Sequence, residues 1–308
     1  MVQLNRHTQV LKTKGRSFYL ASRLMGQPYR KRATLLYAFC RHLDDLVDEE
    51  PNKAIAKAKI EQLRTMLISG NSSDSVVLRL TKLINSIDVP IEVVNTLIEG
   101  VESDLSLSQI KTEAELLQYA YRVAGTVGLM MSHILDVKDQ AAQPFAIDLG
   151  IAMQLTNIAR DVGEDARLGR VYIPASWLPD STPQSITNPS PAEAALLSQA
   201  TQRILTLADS FYRSGNQGLH YLPFKSRFSI TVASILYSEI GKVIKRQGYC
   251  SYKGRAVVSP IMKCKCVMQG ITKAIISAIL PKRKYAHSSE LHKTIRTFLM
   301  ESDAIFTA

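Results

Sequence analysis

Leu, Ile, Val, Met and Ala recur along this 308-residue chain at intervals of three and four. That spacing gathers apolar side chains on one face of a helix. Regular alternation of β-branched and polar residues is lacking, so nothing reads as a strand. The pattern predicts helices over about 28–49, 51–69, 90–109, 113–135, 140–163, 192–215, 226–248, 262–280 and 288–302. Pro28, Pro51 and Pro90 suit the first helical position, where a missing N–H is tolerated. A loop is expected at 164–191, which holds Gly169, Pro174, Pro179, Pro183, Pro189 and Pro191. The fold class that follows is all-α, a single helical domain with helices packed around a central space. At 46% hydrophobic residues the chain can bury a large core, and no repeat or low-complexity tract interrupts it.

Charge narrows the picture. The chain carries +11, and residues 1–224 are balanced at 23 basic against 23 acidic. Residues 225–308 hold 15 Lys and Arg against 4 acids, so the whole excess lies there. Basic segments attract nucleic acid, anionic lipid or anionic small molecules. No nucleic acid partner is expected, because no reading motif or interleaved aromatics accompany the charge. Residues 262–284, apolar between basic ends, fit a closing amphipathic helix or a peripheral membrane contact. No run of about 18 uncharged apolar residues exists to cross a bilayer. Residues 1–43 hold nine Lys and Arg and no acid, as transit peptides do. Helical core patterning from Leu35 onward places them in the mature protein. Cys40, Cys250, Cys264 and Cys266 have neither zinc nor redox spacing, and a reduced, cytoplasmic setting suits them. His7, His42, His133 and His220 show no metal spacing either, and His42 turns off the acidic face beside it.

Two polar seams stand out against this background. On the 28–49 helix, Tyr37, Arg41, Asp44 and Asp48 are spaced by four, three and four, with Asp45 beside them. On the 140–163 helix and just beyond, Gln154, Asn157, Asp161 and Asp165 are spaced by three, four and four. Each set forms one narrow stripe flanked by apolar residues. Mixed Tyr, Gln, Asn and Arg make these stripes look like polar lining rather than a solvated Glu/Lys face. Carboxylate ladders of this kind suit a hard divalent cation, which bridges one or two carboxylates to a phosphate. Arg41 and Arg160 stand ready to take phosphate oxygens in forked geometry.

The motifs carry a resemblance. "DDLVD" and "NIARDVGED" (157–165) are similar to the paired aspartate motifs of the squalene/phytoene synthase family, the head-to-head isoprenyl diphosphate synthases. "YAYRVAGTVG" (119–128) and "LGIAMQLTNIARDVGEDARLGRVYIP" (149–174) resemble its two longer signatures, and "KGRSFYLASRLM" (14–25) its flexible flap. The likeness covers about residues 10–280 in motif order, leaving a basic C-terminal segment at 281–308. Within the family, "VAGTVGLMM" is more like the bacterial phytoene-forming members.

The resemblance implies an isoprenoid synthase fold, with two Asp-rich helices facing each other across a central apolar cavity. It implies condensation of two geranylgeranyl diphosphates, by way of a cyclopropyl diphosphate, to phytoene, the first committed carotenoid precursor. Two or three Mg²⁺ (or Mn²⁺) ions would bridge the diphosphate, and no NADPH is expected. Metal contact would fall to Asp44, Asp48, Asn157, Asp161 and Asp165. Diphosphate contact would fall to Lys14, Arg16, Ser17, Arg41, Arg160, Tyr237 and Arg255, with Asp45 alongside. Tyr37, Tyr119 and Gln154 would line the reacting centre. Phe18 and Tyr19 are candidates to steady a cation, and small Ser22 leaves room for a longer chain. Ala124, Gly125 and Gly128 fit two roles, a close helix contact or a flat wall beside a polyene. Partners would include other carotenoid-pathway enzymes and the inner membrane face. The rival outcomes are a dehydrosqualene- or squalene-type synthase using farnesyl diphosphate, and a non-catalytic scaffold member of the same fold.

Overall fold

Leu36, Phe39, Leu43 and Val47 fall three or four residues apart and form one buried face of a helix. Burying each such side chain stabilises by roughly 1.5–3 kcal/mol, and this logic repeats through the molecule. The computed structural model describes residues 16–72, 74–107, 109–279 and 285–296, with only the backbone at 16–18 and 277–279. In chain order its helices are α1 (Arg16–Arg23), α2 (Tyr29–Asp48), α3 (Lys53–Ser69), α4 (Ser75–Ser86), α5 (Ile91–Ser103) and α6 (Glu113–Ala120). They continue as α7 (Thr126–Ile134), α8 (Gln143–Arg167), α9 (Pro183–Thr187), α10 (Pro191–Gln217), α11 (Phe224–Arg246) and α12 (Pro260–Ile279). No strand forms among the described residues, where Gln109 and Val171 make an isolated parallel bridge. The all-α expectation holds.

α8 is the axis of the assembly. It packs against α10 most extensively, and also against α7 and α11. Ile151, Ala152, Leu155, Ile158, Ala159 and Val162 on it are all buried. The sequence predicts its end at Gly163, but it runs on to Arg167 and so carries Asp165 within the helix. Gly163 serves a different purpose there: a Cβ would come 2.6 Å from the Tyr252 carbonyl oxygen. Where α7 crosses α8 the approach is closer still. A Cβ on Gly128 would overlap the Ala146 carbonyl, and one on Gly150 the Ala124 carbonyl. Just before this crossing the predicted 113–135 helix is interrupted by a π turn at Tyr121–Gly125, a feature common near functional sites.

Other boundaries also differ. Pro28 and Pro90 are N-caps, one residue outside α2 and α5. Pro51 precedes Asn52, whose side chain accepts from the N–H groups of Ala54 and Ile55 and sets the start of α3. α4 falls where no helix is expected, capped by Asp74 and burying Val77, Leu80 and Ile84. The predicted 90–109 helix stops at Ser103. The loop at 164–191 contains the short α9. Its first part folds back beside residues 109–111, where Ile110 N–H donates to the Val171 carbonyl at 3.0 Å. Residues 285–296 form a short 3₁₀ turn at Ser289–His292, and α-helix is reached only at Arg296, eight residues later than predicted. Ile295 nevertheless joins the main core, which therefore extends past residue 280. Residues 297–302 of that predicted helix lie outside the described residues. All four cysteines are free. Among the described residues, no helix is long and apolar enough to cross a membrane.

Candidate active site

The stripe on α2 and the stripe on α8 meet. Asp44 and Asp48 from α2 and Asn157, Asp161 and Asp165 from α8 line one recess of about 140 Å³. It adjoins a larger cavity of about 550 Å³, and Asp44, Asp104, Tyr119, Gln154, Asn157 and Asp161 wall both. That volume lies within the ~300–1,000 Å³ typical of ligand pockets. Apolar side chains such as Leu97, Val127, Met131, Met153 and Ile230 line the larger space. Its wall follows α8 from Phe145 to Asp161, about 24 Å of helix at 1.5 Å per residue. The arrangement is a long greasy tunnel with an acidic mouth.

Electrostatics at the mouth are strained. Burial, with Asp48, Asp104 and Asp45 nearby, outweighs Arg41 and pushes the Asp44 carboxyl up to about 7. Asp44 is recessed between helices, yet its side chain keeps 46% of its accessible surface because it faces the hollow. Burial and the charges of Asp161 and Asp104 push Asp165 up to about 8. Burial raises Asp104 to about 6, in spite of Arg170 and of hydrogen bonds from Tyr172 and Tyr119. These carboxylates resist being charged together.

Arginines relieve part of the strain. Arg41 pairs with Asp45 and lies 3.8 Å from Asp44. Arg170 reaches Asp48 at 2.7 Å. Arg160 holds Asp161 through two hydrogen bonds, at 2.8 and 2.5 Å. Arg255 approaches the same carboxylate at 3.0 Å and Glu164 at 3.5 Å. So Arg41, Arg160 and Arg255, expected on phosphate, are occupied with acids.

Most sequence-predicted residues converge here. Tyr37, Arg41, Tyr119, Gln154, Arg160, Tyr237 and Arg255 all line the larger cavity, as do Ser22, Ala124 and Gly128. Burial pushes the Tyr237 hydroxyl up to about 12, so it stays a neutral hydrogen-bonding group. Three residues fall elsewhere than expected. Asp45 lines neither cavity and serves as the partner of Arg41. Gly125 is also absent from the cavity wall, because it packs on the Tyr121 ring and Ile147. Gly128 combines wall and helix contact. Tyr19 is not a lining residue, although its carbonyl accepts from the Ser22 hydroxyl at 2.9 Å. Lys14 lies outside the described residues, as do the side chains of Arg16, Ser17 and Phe18.

Asp104 joins the site without having been singled out, and Arg170 and Tyr172, which fall in the 149–174 signature, join it without having been given a role there. The hydroxyls of Tyr119 and Tyr172 both donate to Asp104, at 3.0 and 2.9 Å, and their rings stack at 4.9 Å. Asp104 caps the C-terminus of α5, where the helix dipole disfavours an acid. That misplaced charge is the signal that marks it. His42, by contrast, points to Asp74 at 3.7 Å and away from the seam.

A divalent cation fits this donor set. The donors are all oxygens, and the Oδ1 of Asn157 is buried with no hydrogen-bond partner. Among the described residues no three seam carboxylates converge within 4.8 Å, as expected of like charges that repel.

Residues 11–261 match the model of the squalene/phytoene synthase family. The chain belongs to that family. Relatives in it include a 15-cis-phytoene synthase from Enterobacter agglomerans, 33% identical over 279 residues, covering 86% of this chain and 93% of the relative. A 15-cis-phytoene synthase from a Paracoccus species is 34% identical over 266 residues, covering 83% and 86%. Among solved structures, a dehydrosqualene synthase in complex with a ligand superposes with a TM-score of 0.78 at 25% identity, covering 89% of this chain and 96% of that one. The isoprenoid synthase fold expected from the motifs is therefore the fold of this family member.

The raised carboxyls give a testable sign. The Asp165 carboxyl titrates near 8 when folded and about 3.9 when unfolded. Its stability contribution is intact below pH 4 and is lost as pH rises toward 8. In chelator-treated protein, Asp165→Asn therefore raises the melting temperature by on the order of 10 °C at pH 8. It leaves the melting temperature near unchanged at pH 4. Calorimetry at the two pH values checks this.

Proposed function

We propose that this chain joins two geranylgeranyl diphosphates head to head and releases diphosphate, forming phytoene. The observation that carries the reading is the placement of two aspartate-bearing helices on opposite sides of one acidic recess, opening into an apolar tunnel. Curated relatives named phytoene synthase support the C20 reading over a C15 one. The intact Asp44, Asp48, Asp161 and Asp165 speak against a non-catalytic scaffold.

Asp44, Asp48, Asn157, Asp161 and Asp165 would hold Mg²⁺ or Mn²⁺, which when bound supplies Lewis-acid stabilisation of a departing diphosphate. The remaining steps belong to the protein. Arg41, Arg160 and Arg255, which lie on acids at the mouth, would offer their guanidinium groups to phosphate oxygens once those acids hold a cation. The prenyl tails lie in the tunnel, where Leu97, Val127, Met131 and Met153 exclude the water that would quench an allylic cation. Tyr37, Tyr119 and Gln154 stand where recess meets tunnel. Their oxygens supply fixed dipoles toward positive charge without becoming anionic: burial raises the Tyr37 and Tyr119 hydroxyls above their ordinary value.

A greasy substrate favours pick-up at a membrane. α12 leaves Ile261, Met268, Ile275 and Ile276 exposed, interspersed with Lys263, Lys265 and Lys273. This face would rest on an anionic bilayer. Vesicles containing anionic lipid should co-sediment the protein, and Ile261→Glu with Met268→Glu should reduce the bound fraction several-fold. Equal sedimentation of both proteins would refute the contact.

Product analysis tests the activity. Incubation with Mg²⁺ and C20 diphosphate, without NADPH, should yield phytoene, and C15 diphosphate should yield far less C30 product. Asp44→Ala and Asp161→Ala should each lower turnover by about 10³-fold or more while leaving folding intact. Turnover within tenfold of wild type in both would overturn the assignment.

A further inference from the structure

A second ligand set lies outside the site described above. Asp148 is fully buried on α8, between the cavity-lining residues Phe145 and Leu149, but it does not line the cavity. Its two carboxylate oxygens face two different imidazoles. His287 Nε2 lies 2.8 Å from one oxygen, and His292 Nε2 lies 2.6 Å from the other. The two rings are 4.4 Å apart, and the edge of His287 meets Phe145 at 5.2 Å. The Ser214 hydroxyl also lies beside Asp148 and favours its charged form. One donor atom from each of the three residues lies within 4.8 Å of the others.

We propose that Asp148, His287 and His292 form a binding site for a borderline divalent cation of the Zn²⁺ class, which fastens the 285–296 segment to α8 behind the tunnel wall. Three observations carry this. First, the donor set is two imidazole nitrogens and one carboxylate oxygen, a recurrent three-ligand set for zinc and a poor one for Mg²⁺. Second, a fully buried carboxylate is costly unless its charge is matched. Among the described residues the side chains that meet its two oxygens are these two imidazoles, with no Lys or Arg pairing to it. Third, the spacing needs little adjustment. Ligands at about 2.0–2.1 Å around a tetrahedral zinc stand about 3.3 Å apart, and one donor atom from each residue already lies within 4.8 Å of the others, so no pair closes by more than about 1.5 Å.

Binding replaces two N–H···O hydrogen bonds with two nitrogen–metal bonds and one carboxylate–metal bond. Each neutral imidazole moves its hydrogen from Nε2 to Nδ1, so no net proton is released. Ser214 remains as an outer partner that orients the carboxylate. The fourth position falls to water. This cation is distinct from those of the aspartate seams, which use hard oxygen donors.

The test uses the full chain without a histidine tag, stripped with chelator and titrated with Co²⁺ as a spectroscopic stand-in for Zn²⁺. The expected result is one equivalent bound with intense visible bands of a four-coordinate ion, undiminished by excess Mg²⁺. Asp44→Asn with Asp161→Asn should keep those bands, which separates this site from the seams. His287→Gln with His292→Gln retains side-chain donors toward Asp148 but removes the ligand nitrogens. It should weaken Co²⁺ binding by about 100-fold, with the cation-free melting temperature near wild type. Should the double variant fold poorly, His292→Gln alone serves, with the same loss of visible bands expected. Wild-type protein that binds Co²⁺ and Zn²⁺ no more tightly than either variant would overturn the proposal and leave a hydrogen-bonded pin.

Discussion

Mutual repulsion among carboxylates held close in a recess governs this structure. Asp44, Asp104 and Asp165 all resist ionisation because burial and one another's charge disfavour it. A fold would normally avoid such crowding. Here the surrounding architecture maintains it. α8 packs against α10, α7 and α11, and its approach is too close for side chains at Gly128 on α7, at Gly150 beside Ala124 of the π turn, and at Gly163 beside Tyr252. α2 is fixed by its fully buried face of Leu36, Phe39 and Leu43. The acids cannot drift apart, so the strain is available to a cation.

The arginines turn that strain into a switch of partners. Arg41, Arg160, Arg170 and Arg255 each lie on an acid. They stabilise the mouth without satisfying it, since Asp44 and Asp165 stay raised. Under the proposed function, cations and a diphosphate would exchange acid–arginine pairs for acid–cation and phosphate–arginine pairs, and the recess would then hold its anion tightly with the metal present.

The helical class and the two seams were legible because helical periodicity reports directly on which residues share a face. Asp44 with Asp48, and Asp161 with Asp165, needed only spacing and a polar lining composition. What stayed hidden depends on contacts remote in sequence. Asp104 enters the site because Tyr119 and Tyr172, fifteen and sixty-eight residues away, converge on it. Arg170 arrives through a proline-rich loop whose path is set by the Gln109–Val171 bridge. Gly163 read as a helix end, but a close approach to Tyr252 explains it. α4 escaped notice although Asp74 and the spacing of Val77, Leu80 and Ile84 mark it. The pairing of Asp148 with His287 and His292 spans about 140 residues, and no spacing rule reaches that far.

The account turns on cations seating between the two aspartate helices. Crystals soaked with Mn²⁺ and inorganic diphosphate give the most direct measurement, through anomalous scattering. The account predicts manganese peaks bridged by Asp44 and Asp48 on one side and by Asn157, Asp161 and Asp165 on the other. It also predicts Arg41, Arg160 and Arg255 swung onto diphosphate oxygens. Manganese absent from that recess at saturating concentration, with the arginines still on their acids, would contradict it.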